Sequence, residues 1–313
     1  MTAHDPADRD RAATPATPGT PGTPGTPGTP GTPGTPGTPA TLLRASPLPP
    51  LEARILLTHV LGWRQTQLIT RADEALDGAC VERYLALQAR RVAGEPVAQI
   101  VGAREFFGLE FEVTPHVLIP RPETELLVET ALTAMQDLAR PRVLDLGTGT
   151  GAIAVTIASM RPDAQVTAVD RSAEALAVAA RNAARLLDAK RPGGAVAFVQ
   201  SDWYGALDRG LCFDVIVSNP SYIASGDPHL AQGDLRYEPR GALTDEADGL
   251  SAIRAIIVGA PARLSSHGIL WMEHGYDQAE AVRALLTAQG FADIRSERDL
   301  AGTERISGGR LAG

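Results

Sequence analysis

Apolar residues first recur at helical spacing in the stretch that opens at Leu51. Leu51, Ile55 and Leu56 repeat this way, as do Leu57, Val60 and Leu61, until Gly62 breaks the run. A second periodic stretch carries Val81, Leu85 and Leu87. Arg90 and Arg91 stand near its end, where cations suit the helix dipole, and Gly94 and Pro96 stop it. Across residues 97–114 the apolar residues Val97, Ile100, Phe106, Phe107, Leu109, Phe111 and Val113 are punctuated by Gly102 and Gly108, which predicts a short hairpin. Beyond Pro115 the rhythm changes. Apolar runs at 143–146, 166–169, 195–199, 214–218, 269–273 and 292–297 predict strands, and periodic segments at 152–160, 173–187, 250–264 and 278–289 predict helices between them. Such alternation predicts an α/β fold with a doubly wound, mostly parallel sheet. Ligands of these sheets bind beyond the carboxyl ends of the strands, so the loops there are the place to look for chemistry.

Composition singles out the head of the chain. Thirteen of the 24 prolines fall in the first 50 residues, and from Thr14 to Ala40 a Thr-Pro-Gly unit repeats with a period of three. The glycine spacing is that of collagen, but the run is short and has no side chains to bury against the entropy of ordering. Residues 1–44 are therefore expected to be a disordered tail without a catalytic role. The remaining chain divides into a helical unit over 45–96, a hairpin linker over 97–115 and a sheet domain over 116–313.

Charge and cysteine usage narrow the function classes. The 313 residues carry a net charge of −8, and an acidic chain is a poor match for broad, charge-driven binding to nucleic-acid phosphates. Only Cys80 and Cys212 are present, too few for a disulfide framework or a Cys-rich zinc site. His59, His116, His229 and His274 never pair at metal-ligand spacing, so no metal site is expected. No apolar run reaches the roughly 18 residues that a membrane span needs, and charges occupy the N-terminus where a signal peptide is apolar. These features predict a soluble, cytoplasmic protein with no membrane partner.

The first loop of interest is Asp145-Leu146-Gly147-Thr148-Gly149-Thr150-Gly151. Its glycines let backbone approach a ligand where a Cβ would stand in the way. The next strand ends at Asp170, whose carboxylate can accept both hydroxyls of a ribose. With Ala152 the loop also satisfies a relaxed dinucleotide pattern, so NAD stands as an alternative. Asp145 weighs against it, because an acid there would face an ammonium better than a pyrophosphate, and S-adenosylmethionine carries an ammonium and no phosphate. After the third strand, Asp202 can accept from an adenine amino group while Trp203 packs beside the base, although a solvated Asp and a core Trp are an equal reading of that segment alone. The fourth strand ends in Asn219-Pro220-Ser221-Tyr222. An amide nitrogen is a poor nucleophile because its lone pair is delocalised. Two acceptors, the Asn219 side-chain oxygen and the Pro220 carbonyl, can each take one N–H and aim that nitrogen, with Tyr222 packed against the flat amide.

Taken in order, these segments resemble the release-factor glutamine N5-methyltransferase family (PrmC, also called HemK). The resemblance runs from about Leu51 to Arg310 and rests on Ile119-Pro120-Arg121-Pro122-Glu123-Thr124-Glu125, the glycine loop, Asp170, Asp202-Trp203 and Asn219-Pro220-Ser221-Tyr222. Asp227-Pro228-His229-Leu230, the run from Gln232 to Pro239, and Glu273-His274-Gly275 complete it. It implies a class I methyltransferase domain behind a small helical substrate-recognition domain. It also implies methyl transfer from S-adenosylmethionine to the glutamine of the Gly-Gly-Gln motif in bacterial peptide chain release factors. Gly147, Thr148, Gly149, Thr150, Gly151, Asp170, Asp202, Trp203 and Asn219 are then the cofactor residues. Asn219, Pro220 and Tyr222 are catalytic, and with Ser221 they hold the substrate glutamine.

The family usually has a second proline where this chain has Ser221, and the Thr-Pro-Gly tail has no counterpart in the family pattern. Arg121 reads equally as a cap on the cofactor pocket or as a salt-bridge partner, and Glu123 and Glu125 suit the first turn of a helix. Two rivals stay open. One is an amino-methyltransferase acting on adenine or guanine in nucleic acid, which shares the Asn-Pro-x-aromatic device. The other is a noncatalytic binding protein in which Ser221 marks decay.

Overall fold

The computed structural model describes residues 37–312, and residues 1–36 of the expected disordered tail lie outside the described residues. Residues 37–44 correct that expectation, because α1 (Pro39–Ala45) is a helix. The last Thr-Pro pair of the repeat starts it. Thr38 Oγ1 accepts from Thr41 N at 3.2 Å, and Thr41 Oγ1 accepts from Thr38 N at 2.8 Å. Pro39 takes a first-turn position, where a missing N–H costs nothing. Leu42 and Leu43 then pack on the apolar cluster of the following helices.

Those helices are α2 (Pro50–Leu61), α3 (Gln65–Thr70), α4 (Gly78–Val92) and α5 (Val97–Val101). They bury Leu56, Leu57, Leu68, Tyr84 and Ile100 in one core. Gly62, at φ +64°, closes α2 in the left-handed conformation that a side chain resists. The expected hairpin is shorter than the 97–114 span. It comprises β1 (Ala103–Phe106) and β2 (Leu109–Glu112), with Ala103 opposite Glu112. Pro96 and Gly102 instead bound the short helix α5, which buries Ala98 and Ile100.

The sheet contains β3 (Arg142–Leu146), β4 (Gln165–Asp170), β5 (Ala197–Gln200), β6 (Phe213–Ser218), β7 (Leu264–Glu273), β8 (Phe291–Arg298) and β9 (Glu304–Leu311). Its order is β5-β4-β3-β6-β7-β9-β8, with β9 antiparallel to both of its neighbours and the other pairs parallel. The helices are α6 (Glu125–Ala134), α7 (Ala152–Met160), α8 (Ala173–Leu186), the single turn α9 (Arg240–Leu243), α10 (Ser251–Gly259) and α11 (Ala279–Ala288). Strand residues alternate between two cores. Val143, Val215 and Val217 pack with Leu127, Val128 and Ile157 on one face. Leu144, Leu146 and Ile216 pack with Ile253, Ile256, Val282 and Leu286 on the other. Among the described residues no helix is long and apolar enough to cross a membrane.

Six strands were expected in this sheet, and β9 is the addition. Its Gly308 and Gly309 dilute the apolar pattern. A Cβ at Gly308 would lie 2.3 Å from the Leu270 carbonyl oxygen and 2.4 Å from the Trp271 ring, so the neighbouring strand requires the glycine that hides the signal.

Register decides where the chemistry gathers. Leu146 of β3 pairs with Val169 of β4 on one side and with Ser218 of β6 on the other, and Ser218 pairs with Met272 of β7. Gly147, Asp170, Asn219 and Glu273 therefore leave the sheet at one level. This is the switch point, where the chain winds away from β3 in opposite directions.

Candidate active site

The glycine loop is held from beneath. Gly147 N and Thr148 N donate to the Val169 carbonyl at 2.8 and 2.9 Å, and Gly151 N donates to the Thr148 carbonyl at 2.8 Å. Gly149 N donates to Asp170 Oδ2 at 2.9 Å. Gly149 and Gly151 have φ of +54° and +81°, and a Cβ on Gly151 would press on Ala179 at 3.1 Å. Four amides that would cradle a phosphate are thus already used within the protein, which removes the chief attraction of the loop for a pyrophosphate.

Asp145 does not face the ligand as the sequence suggested. It is fully buried, and its Oδ2 accepts from the Thr148 hydroxyl at 2.7 Å, while Oδ1 has no partner among the described residues. Burial pushes its carboxyl up to about 7. Its part is to brace the loop. A carboxyl raised in the fold binds its proton more tightly there than in the unfolded chain. The cost is absent below about pH 4 and grows as pH rises towards 7, by at most about 1.4 kcal/mol per pH unit. Urea midpoints should therefore fall across this window in the parent and fall less in Asp145→Asn. Parallel pH curves for the two proteins would contradict the assignment.

A cavity of about 370 Å³ opens above the loop, lined in part by Gly147, Gly149, Asp170, Asp202, Trp203 and Asn219. Asp170 Oδ1 accepts from Ser172 N at 2.9 Å, so the carboxylate ties the loop to the start of α8 and keeps further lone pairs for a ligand. Asp202 is exposed at the rim. Trp203 sits at φ +47°, a conformation that bulky residues avoid, and its ring stands 3.8 Å from where a Gly147 Cβ would be. Thr148, Thr150 and Gly151 lie beneath the cavity wall rather than on it. Arg171 lines the cavity, but its guanidinium donates to the Gly241 carbonyl at 3.2 Å. Two carboxylates and few free cations match hydroxyls and an ammonium, not phosphates. The donor set fits S-adenosylmethionine.

Asn219, Pro220 and Ser221 line the same cavity, and Tyr222 points elsewhere. Asn219 Nδ2 donates to Thr124 Oγ1 at 3.0 Å, and the Thr124 hydroxyl donates to Glu273 Oε2 at 2.7 Å. The Tyr222 hydroxyl donates to Glu273 Oε1 at 3.1 Å. Burial raises both the Tyr222 hydroxyl and the Glu273 carboxyl. Tyr222 lines a second cavity of about 540 Å³ with Arg121, Glu123, Asp234, Glu273 and Arg305 rather than lying flat against the first. Arg121 pairs with the buried Glu238, whose Oε2 also accepts from Ile119 N at 2.8 Å, which realises the salt-bridge reading of Arg121.

Several residues that shape the site carried no local signal. Gln278 Nε2 donates to the Tyr222 carbonyl at 3.0 Å and to the Gly249 carbonyl at 3.1 Å, fixing the end of the Asn219 loop. Asn182, fully buried on α8, donates to the Thr150 carbonyl at 3.0 Å and accepts from Glu112 N at 2.7 Å, joining the hairpin to the glycine loop. Thr124 and Glu273 stood inside segments that carried the family resemblance, but nothing in their spacing joined them to Asn219.

Comparison with known proteins is consistent with this geometry. Residues 40–102 match the PrmC N-terminal domain, and residues 122–232 match the methyltransferase small domain. The release factor glutamine methyltransferase of Burkholderia pseudomallei (strain K96243) is 70% identical over 272 residues, covering 87% of this chain and 95% of that protein. That of Bordetella pertussis (strain Tohama I) is 57% identical over 270 residues, covering 86% of this chain and 98% of that protein. Among solved structures, the hMettl16 catalytic domain shares the fold, with a TM-score of 0.53, 16% identity, and coverage of 72% of this chain and 82% of that one.

Proposed function

The chain belongs to the release factor glutamine methyltransferase family, and from that premise we propose that it methylates the glutamine side-chain nitrogen in the Gly-Gly-Gln motif of bacterial peptide chain release factors. The observation that carries the reading is the Asn219 side chain, held at the cavity wall through Nδ2 while Oδ1 has no protein donor among the described residues.

S-adenosylmethionine, when bound, supplies a methyl group activated by its sulfonium. Gly147, Gly149, Asp170, Asp202 and Trp203 would hold it, with Asp170 accepting the ribose hydroxyls. Asn219 Oδ1 and the Pro220 carbonyl each accept one N–H of the substrate amide. This aims the nitrogen lone pair into the cavity and favours the positive charge that grows on the nitrogen. As the new C–N bond forms, the bond from the methyl carbon to sulfur would break to leave a neutral thioether, and one of the two N–H protons would leave to water. Tyr222, next in the same loop, braces that loop through the hydrogen bond from its hydroxyl to Glu273. The substrate partner is then a protein, and the reaction belongs in the cytoplasm, where release factors work. The helical unit over 45–96, extended by α1, is the candidate for recognising the release factor.

The test is mass spectrometry of a release factor incubated with the protein and S-adenosylmethionine. One added methyl on the Gly-Gly-Gln glutamine is expected, and methylated RNA with an unmodified release factor would favour the nucleic-acid alternative. Ser221 leaves both acceptors in place, so Ser221→Pro should give an equal or modestly higher rate by stiffening the loop. A large loss of rate in that variant would show that the loop has adapted to serine.

A further inference from the structure

We infer that Thr124, anchored by Glu273, is a positioning residue that decides which face of the Asn219 amide meets the substrate. An Asn amide has an oxygen and an NH2 of similar shape, and only the oxygen can accept a substrate N–H. The amide therefore needs something to choose its orientation, and the hydrogen-bond chain supplies the choice. Glu273 is buried, with a carboxylate that accepts from the Tyr222 hydroxyl on one oxygen and from the Thr124 hydroxyl on the other. Once the Thr124 proton points at Glu273, Thr124 Oγ1 has only lone pairs left for Asn219. The Asn219 group that faces it must then be Nδ2, as found at 3.0 Å. Oδ1 is left for the cavity. If the amide turned over, Oδ1 would meet the lone pairs of Thr124 and Nδ2 would confront the substrate NH2, donor against donor.

The placement of the three residues supports this reading. Thr124 is buried immediately before α6, Asn219 follows β6, and Glu273 ends β7. Ser218 and Met272 are paired partners, so Asn219 and Glu273 leave adjacent strands side by side, and Thr124 bridges them. None of the three hydrogen bonds involves the cofactor-holding residues Gly149 or Asp170.

The inference rests on the glutamine-methylation reading, and the experiment separates the two. Thr124→Val keeps the shape and removes the hydroxyl. It should lower kcat on a release factor about 10- to 100-fold, with KM for S-adenosylmethionine within about twofold of the parent. Thr124→Ser should recover most of the lost rate. In an Asn219→Ala background, Thr124→Val should cost almost nothing further, because its effect passes through Asn219. A parental kcat in Thr124→Val, or an undiminished loss in the Asn219→Ala background, overturns the positioning role while the parent still methylates. Equal losses in the Val and Ser variants, with a lowered melting temperature, would show a packing role and also overturn it. A parent that transfers no methyl to the release factor overturns the glutamine reading and this inference with it.

Discussion

Asn219→Ala should lower the rate of methyl transfer to a release factor by about 10²–10³ while leaving S-adenosylmethionine binding nearly intact. The size follows from removing one preorganised acceptor aimed at developing charge. The selectivity follows from the site. Asn219 touches the cavity from its β6 side, whereas the glycine loop and Asp170 form the floor through hydrogen bonds that do not involve it. Loss of Asn219 also frees Thr124 Oγ1, but Thr124 still donates to Glu273, so the fold should tolerate the change. Single-turnover rates together with calorimetric cofactor affinity check both halves. A variant that methylates at the parental rate would remove Asn219 from the mechanism. A variant whose cofactor affinity collapses in step with its rate would move Asn219 from the substrate side to the cofactor side.

Asp170→Ala should weaken S-adenosylmethionine by about 10- to 150-fold, the equivalent of roughly 1.5–3 kcal/mol for a hydrogen bond to a charged group. The structure adds a cost that the sequence did not disclose. Both oxygens already accept backbone N–H groups, from Gly149 at 2.9 Å and Ser172 at 2.9 Å. Removing them loosens the glycine loop and the start of α8 at once, so a loss of about 1–3 kcal/mol of stability should accompany the weaker binding. Asp170→Asn keeps an acceptor for one of the two amides and should fall between parent and Ala in both measurements. Calorimetry and urea denaturation separate the effects. Unchanged cofactor affinity in Asp170→Ala would exclude the ribose role, even if stability fell. Binding of NADH by the parent would overturn the cofactor assignment altogether.

Much of the frame of this site was legible because its signals are local. The helix over Ala152–Met160 and the strands around it announce themselves by apolar periodicity, which each segment carries on its own. The glycine loop is legible for a similar reason, since positive φ at Gly149 and Gly151 is a property of the loop itself. Where local signals conflict with tertiary demands, the reading failed. Gly308 in β9 weakens a strand pattern because Trp271 on the neighbouring strand leaves no space for a Cβ. Thr38 and Pro39 look like one more unit of the repeat, yet they cap and open α1 because Leu42 and Leu43 have a core to join.

The sequence by itself determined the alternation of strands and helices, the glycine loop, and the Asn219-Pro220-Ser221-Tyr222 segment proposed to hold the substrate amide. These depend on residues adjacent in the chain, whose periodicity and turn chemistry act within a few positions. Tertiary structure alone decided what those residues touch. Asp145 turned from a ligand contact into a buried brace, Asp170 acquired two backbone amides, and Asn219 acquired Thr124, 95 positions away. The reason is the register of parallel strands. Segments far apart in the chain come into line only when Leu146, Val169 and Ser218 pair, and a hydrogen bond made across that line depends on tenths of an ångström that no one-dimensional pattern records.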